Sequence, residues 1–295
     1  MVGSYDLPYW KGFVASSLGP ATAVLFTNPF EVAKVHQQMH GELSQTRARP
    51  SLATVFRNVY TKGGISGLQA GLSAAIAREG TKNIFRIGAY EPILDGLKKL
   101  QGADKATIPT RIVAGAASGI LASYTCNPLD LLKTRMQARD LIGLSANHGP
   151  ITEVRALMKE GGVARLWRGS HVSAFRSALA TGTNLPAYTV VKEYLLQQRG
   201  LKDGTVVHVT SAMLAAFCTC VANNPVDVLR SRLYNQQASR TLYTSAWDAF
   251  VKVLRIEGPT AFYKGFWSHY IRAGPHYVLT FAFLEKIRYV MHKYT

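Results

Sequence analysis

Charged residues withdraw from the chain in three long stretches: Gly12–Phe30, Ile112–Leu129 and Gly204–Val226, of 19, 18 and 23 residues. About 20 mostly apolar residues cross a bilayer as a helix. Hydropathy alone therefore predicts three membrane spans. Further apolar segments are shorter or interrupted. Ser177–Val191 and Ala273–Leu284 are short, and Ala70–Leu100 carries Arg78, Glu79, Lys82 and Arg86. Between the long segments, the stretches around Leu52–Lys62, Ile151–Lys159 and Ser245–Glu257 have the amphipathic pattern of helices lying on a membrane surface.

Internal repetition raises the number of spans. Asn28-Pro29-Phe30-Glu31-Val32-Ala33-Lys34 recurs as Asn127-Pro128-Leu129-Asp130-Leu131-Leu132-Lys133 and as Asn224-Pro225-Val226-Asp227-Val228-Leu229-Arg230, with the prolines 99 and 97 residues apart. A second motif trails each one: Lys62-Gly63-Gly64…Gly71, Glu160-Gly161-Gly162…Trp167-Arg168-Gly169 and Glu257-Gly258-Pro259…Tyr263-Lys264-Gly265, its last glycines 98 and 96 apart. Two motifs sharing one period mark three tandem units, at 1–104, 105–201 and 202–295. Equivalent segments do equivalent things, so six spans are expected: an all-α membrane protein with pseudo-threefold symmetry. Small residues at Ser16/Gly19, Gly115/Gly119 and Ala212/Ala216 would let neighbouring helices approach closely. Each proline sits inside a helical pattern, where it removes a donor and bends the helix. The three bent helices would converge at one end.

Composition narrows the class. Thirty-four Lys+Arg against 17 Asp+Glu give a net charge of +17, while charged residues are only 17% and apolar types 47% of the chain. That apolar fraction excludes disorder, and three cysteines exclude a disulfide scaffold. A nucleic-acid-binding protein would need an exposed basic face with interleaved aromatics. Here the bases fall at repeated positions, inside spans or in loops such as Thr46–Arg57, which suit anionic lipids. An enzyme is disfavoured by the lack of any nucleophile–base arrangement. Cys126, Cys218 and Cys220 are too sparse for a metal site, and no cofactor is called for.

The thrice-repeated Pro-x-[Asp/Glu]-x-x-[Lys/Arg] followed by Glu-Gly…aromatic-basic-Gly resembles the mitochondrial carrier family, over the whole chain. Arg86-Ile87-Gly88-Ala89-Tyr90-Glu91-Pro92, Asn184-Leu185-Pro186-Ala187-Tyr188, Asn224-Pro225-Val226-Asp227-Val228 and Arg272-Ala273-Gly274-Pro275-His276 resemble its oxaloacetate/sulfate branch, akin to dicarboxylate and oxoglutarate carriers. The first unit departs from the pattern: Lys62 stands where an acid is usual, and Gln69-Ala70 replaces the aromatic-basic pair. This weakens the expected surface element there. The resemblance implies a monomeric carrier in the mitochondrial inner membrane, among its lipids (cardiolipin included), with short surface helices on the matrix side and both termini facing the intermembrane space. An adenine-nucleotide carrier is the nearest alternative, but it would have a small-apolar contact pair where this chain has Arg176-Ser177.

The acid and base of each proline motif lie three residues apart, on one helix face. Local pairing along each helix is one outcome. The resemblance implies the other, an inter-helix ring on the matrix side: Glu31–Lys133, Asp130–Arg230 and Asp227–Lys34, braced by Gln38, Gln137 and Tyr234. At the opposite, cytoplasmic end, counting from Gly71, Gly169 and Gly265 gives Glu91/Leu94, Thr189/Lys192 and Glu285/Arg288. There only Glu91–Lys192 makes a complete pair, with Tyr90 and Tyr188 as braces. Three pairs against one predict that the empty protein rests open to the intermembrane space.

Between the two ends, positions seven, eleven and fifteen after those glycines form one helix stripe each: Arg78-Lys82-Arg86, Arg176-Ala180-Asn184 and Arg272-His276-Thr280. Like charges four apart destabilise a helix, and charge inside a span is expensive. Such stripes make sense around a wet cavity that receives anions. Arginine's planar fork matches a carboxylate or sulfate, so a small dianion is the expected cargo. The resemblance carries substrate contact to Arg86, Arg176 and Arg272. Glu79, where close relatives carry an uncharged polar residue, would offset Lys82 three residues on, or bind a proton carried with the anion.

Overall fold

The computed structural model describes residues 9–42, 50–102, 106–141, 149–197, 204–236 and 241–293. Residues 1–8, loop residues 46–49 and the side chain of Glu285 lie outside the described residues. Each unit contributes a long helix, a short one and a long one: α1 (Tyr9–Met39), α2 (Leu52–Leu68) and α3 (Leu72–Gln101); α4 (Ile108–Thr125) continued by α5 (Asn127–Gln137), α6 (Pro150–Gly161) and α7 (Ser170–Gln197); α8 (Thr205–Asn235), α9 (Ala246–Ile256) and α10 (Phe266–Lys293). No strand occurs among the described residues. The long helices close a barrel in chain order, with α1 on α3, α3 on α4, α4 on α7, α7 on α8, α8 on α10 and α10 back on α1.

Taken alone, only Val206–Asn235 among the described residues is long and apolar enough to be a membrane span. The three-span expectation from hydropathy is therefore corrected to one. The cause is physical. Charged residues interrupt α3, α7 and α10, the α4–α5 run is broken at Cys126 (φ −92°, ψ 5°), and the charge-free stretch of α1 is diluted by Ser, Thr, Gly, Asn and Pro. Six long helices nonetheless close the barrel, as the repeat requires.

Proline at position i leaves the carbonyl at i−4 without its helical donor. Two of the three orphaned carbonyls are met by side chains from the loop before the next long helix. Gln69 Nε2 donates to Leu25 O at 3.0 Å, and Trp167 Nε1 donates to Tyr124 O, also at 3.0 Å. Gln69 thus does for Pro29 what the aromatic does for Pro128, so at this contact the departure in the first unit costs nothing. The asparagine before each proline ties down the same loops. Asn28 Nδ2 donates to Ala70 O at 3.2 Å, Asn127 Nδ2 to Leu166 O at 2.8 Å and Asn224 Nδ2 to Phe262 O at 2.7 Å.

Gly71, Gly169 and Gly265 open the second long helix of each unit with φ of 70°, 74° and 77°. That left-handed backbone favours glycine, and so does the space. A Cβ on Gly71 would sit 3.1 Å from Lys133 O, one on Gly169 2.8 Å from the Tyr234 ring, and one on Gly265 3.2 Å from Lys34 O. Each glycine therefore lets one unit press its loop against the charged helix of the next. Along the barrel wall, a Cβ on Gly19 would meet Thr280 O at 3.2 Å and one on Gly115 would meet Thr181 at 3.0 Å. In α8 the small-residue expectation is off by one position. Ser211 and Ala215 are buried, whereas Ala212 is exposed and Ala216 lines the interior. The helix is rotated by about one residue, roughly 100°, from the face assumed.

The short helices follow the kinked ends and pack against them. Ser51 caps α2, accepting from Thr54 N at 3.2 Å, and Ser245 caps α9, accepting from Asp248 N at 3.1 Å. Val55 and Val59 of α2 bury against Val32 and Ala33 of α1, while Ala249 of α9 buries in a cluster with Val226 and Leu233 of α8. Substituting Gly169→Ala should destabilise the detergent-solubilised protein by about 2 kcal/mol, through overpacking on Tyr234 and the left-handed backbone. Gly182→Ala, in α7 with open space around it, should leave the thermal transition nearly unmoved. Equal transitions for the two variants would refute this account of the seam.

Candidate functional site

Where the three bent helices converge, their charged side chains meet between units. Lys34 Nζ lies 2.5 Å from Asp227 Oδ2, Arg230 Nη2 lies 3.2 Å from Asp130 Oδ1, and Lys133 is hydrogen-bonded to Glu31. The local i,i+3 alternative is not the one adopted. Asp130 is 0% and Asp227 4% exposed. Removing a carboxylate this far from water is expensive, and it is tolerated only where opposite charge and hydrogen bonds replace solvent. The braces lie alongside. Gln137 Nε2 donates to Asn28 Oδ1 at 3.0 Å and to Glu31 Oε2 at 3.4 Å. Ser231 Oγ donates to Gln38 Oε1 at 2.6 Å. The Tyr234 hydroxyl donates to Asn127 Oδ1 at 2.5 Å, while the Arg230 guanidinium stands 5.0 Å over its ring.

A cavity of about 360 Å³ rises from this ring. Its wall includes Glu31, Lys34, Lys133, Asp227 and Arg230 at the bottom, Arg78, Arg176 and Arg272 above them, and Arg86, Asn184 and Thr280 higher still. Arg86 is exposed, so the cavity opens away from the ring. The three arginines of the middle tier do not wait unpaired. Arg78 Nε donates to Asp130 Oδ1 at 2.5 Å, Arg272 Nη1 lies 3.1 Å from Glu31 Oε1, and Arg176 bonds Asp227. Each ring acid is thus shared between a base of its own tier and an arginine of the tier above. His269 adds a ring nitrogen 3.4 Å from Asp227 Oδ2.

Two expected placements are corrected. Lys82 is not part of the cavity wall; its ammonium lies 3.7 Å from Asp130 Oδ2, and Asn83 lines the cavity in its place. The next position on α3, about 100° further round, is the one that faces inward. Glu79 lines the cavity but pairs with its neighbour Arg78, not with Lys82. His276 also lines the cavity, its Nδ1 3.2 Å from Thr27 Oγ1, and Asn184 Nδ2 donates to Thr219 Oγ1 at 3.2 Å.

At the other end of the barrel Glu91 is exposed. The Tyr188 hydroxyl turns to His208 Nδ1 at 2.6 Å, and Tyr90 packs near Gly115. Arg288 is half-buried, while its neighbour in the motif, Glu285, has its side chain outside the described residues.

Sequence reasoning gave no role to Asn28, Asn127 and Asn224, although they recur at the period. It also passed over His269, whose equivalents, Ala75 and Ser173, carry no comparable group. No period marks that residue.

A family model described as "Mitochondrial carrier protein" matches residues 5–100, 104–199 and 202–295. The chain is 35% identical over 289 residues to the mitochondrial oxaloacetate transport protein of Saccharomyces cerevisiae, covering 93% of this chain and 87% of that one. It is 31% identical over 294 residues to mitochondrial citrate transporter E of Aspergillus niger, covering 95% and 93%. It is 33% identical over 287 residues to dicarboxylate carrier UCP2 of Danio rerio, covering 95% and 91%.

Replacing Asp227→Asn strips Lys34 and Arg176 of their shared carboxylate. A loss of about 3–5 kcal/mol is expected, as for breaking a buried pair. Asp95→Asn, which removes the exposed partner of Lys98, should cost at most about 1 kcal/mol. Thermal unfolding of the two variants side by side checks this, and comparable losses would contradict it.

Proposed function

We propose that this chain, which belongs to the mitochondrial carrier family, moves small dianions such as oxaloacetate, malonate, sulfate or related dicarboxylates across the mitochondrial inner membrane by alternating access. Transport by members of that family replaces catalysis as the expected activity. The observation that carries the reading is the basic cavity closed at one end by three ion pairs between units. Its middle tier presents three guanidinia, groups whose fork geometry suits carboxylate and sulfate. The oxaloacetate, citrate and dicarboxylate named among the relatives are all small carboxylates, in keeping with this choice. Oxoglutarate or another anionic metabolite, a nucleotide included, is the alternative cargo.

The mechanism follows from the shared carboxylates. Glu31, Lys34, Asp130, Lys133, Asp227 and Arg230 form the matrix gate, braced by Gln38 and Gln137. Glu91, Lys192, Glu285 and Arg288, with Tyr90 and Tyr188, form the cytoplasmic gate, and both termini face the intermembrane space. An anion arriving at Arg176 and Arg272 competes with Asp227 and Glu31 for the same guanidinia. Each ring acid that loses its upper partner is held by one base instead of two, and the gate loosens beneath the bound anion. A ligand shifts two states only by its differential affinity for them. Binding is therefore tightest in the occluded intermediate, where both gates are partly made. Without an anion the arginines return to the ring, which favours exchange over leak. Proton symport remains the competing mode. The protein works as a monomer among inner-membrane lipids such as cardiolipin, without nucleic acid.

Purified protein in liposomes, screened with labelled oxaloacetate, malonate, sulfate, oxoglutarate and ATP, should take up the small dianions. Arg272→Ala removes a charged partner and should cost about 2–5 kcal/mol of transition-state binding, a fall of about 30-fold or more in uptake. No uptake of any dianion, or unchanged flux in the variant, would overturn the reading. Cysteines placed along the cavity of the empty protein should be labelled from the intermembrane-space side, and labelling mainly from the matrix side would reverse the assignment of the closed gate.

A further inference from the structure

The threefold order of the cavity is broken by an acid at one position. The residue following each middle-tier arginine is Glu79 after Arg78, Ser177 after Arg176 and Ala273 after Arg272. Two of the three are neutral and one is a carboxylate. Its consequence is visible at Arg78. That guanidinium is gripped twice, by Asp130 through Nε and by Glu79 through Nη1. Arg176 and Arg272 each have a single acid partner in the ring. The Nε of Arg272 is buried with no hydrogen-bond partner, a donor still to be filled.

The ring below is neutral as a unit, since Lys34, Lys133 and Arg230 balance Glu31, Asp130 and Asp227. The tier above it would present three positive charges toward a ligand, one from each unit. Glu79 cancels the one on α3 and leaves two at that level, with Arg86 standing nearer the mouth of the cavity. Three symmetry-related guanidinia at one level are a receptor for three carboxylates; with one occupied from within, they receive two.

From this we infer that Glu79 sets the valence of the transported anion, holding Arg78 out of use so that the site takes dicarboxylates and rejects tricarboxylates. The inference rests on the anion-carrier reading above and adds the residue that selects within it. The selection works in two ways. A third carboxylate would meet the Glu79 charge directly, and the guanidinium it needs is already satisfied. Repelling the wrong ligand is as effective for specificity as attracting the right one.

Proteoliposomes holding wild type, Glu79→Gln and the double variant Arg78→Gln/Glu79→Gln, assayed with labelled malonate and labelled citrate at a pH where both are fully ionised, test this. Wild type should favour malonate. Glu79→Gln should raise the citrate-to-malonate uptake ratio about tenfold, the effect of one such charge-assisted contact. The double variant should lose that gain, because the freed guanidinium is gone. An unchanged ratio in Glu79→Gln, with malonate uptake retained, overturns the inference and leaves the carrier reading standing. Uptake of neither anion by wild type overturns the carrier reading itself. If Glu79→Gln proves inactive, thermal shifts in detergent decide: citrate should stabilise the variant more than malonate does, and the wild-type order would sink the proposal.

Discussion

Three carboxylates buried among six helices are the constraint on which the rest of the structure turns. Glu31, Asp130 and Asp227 cannot remain charged away from water unless bases reach them, and no single unit supplies those bases. Asp227 takes Lys34 from the first unit and Arg176 from the second. Asp130 takes Arg230 from the third and Arg78 from the first. Glu31 takes Lys133 from the second and Arg272 from the third. Each unit is thus incomplete by one acid's worth of charge in two directions. Only the closed set of three satisfies every member, which is a physical reason for the barrel to close at three.

The backbone devices serve the same meeting. Proline bends α1 and α8 and breaks the α4–α5 run so that the acids converge. Gln69 and Trp167 supply donors that the first two bends remove, and the asparagines hold the following loops against the kinks. The glycines at 71, 169 and 265 let each loop approach the neighbouring charged helix at distances no side chain would permit. Lipid supplies no hydrophobic force between helices, so close approach and ion pairing have to carry the association. The small residues of α1, α4 and α8 do the first, and the ring does the second.

Much of this was legible because it is periodic. The proline motif, the trailing glycines and the stripe positions recur with one spacing, and the charge pairing of the ring follows once three bent helices are closed on themselves. What was not legible depends on rotation about a helix axis or on exceptions to the period. A rotation of one residue separates Lys82 from Asn83, and Ala212 from Ser211. The residue pattern on α3 and α8 does not settle which of each pair turns inward, because both alternatives leave a plausible apolar face. Gln69 looked like a defect, since it breaks the aromatic pattern; its amide donates where an indole would. The pairing of Arg78, Arg176 and Arg272 with the ring acids was invisible for another reason. It joins two tiers on different helices at similar depth, and spacing along one helix carries no measure of depth on another.

That last contact changes what an arginine in this cavity means. A guanidinium waiting in water for an anion gives up hydration on binding and alters nothing else. A guanidinium already engaged with a ring carboxylate exchanges one anion for another, so the net cost of capture is small while the effect on the ring is large. On the proposed transport reading, binding energy that would otherwise appear as affinity is diverted into loosening the closed end, which a transporter needs and a receptor does not. The same economy explains why strong attraction alone would serve badly here. Three free arginines would trap a polyanion at the bottom of the cavity, whereas three arginines that already have partners release it as readily as they receive it.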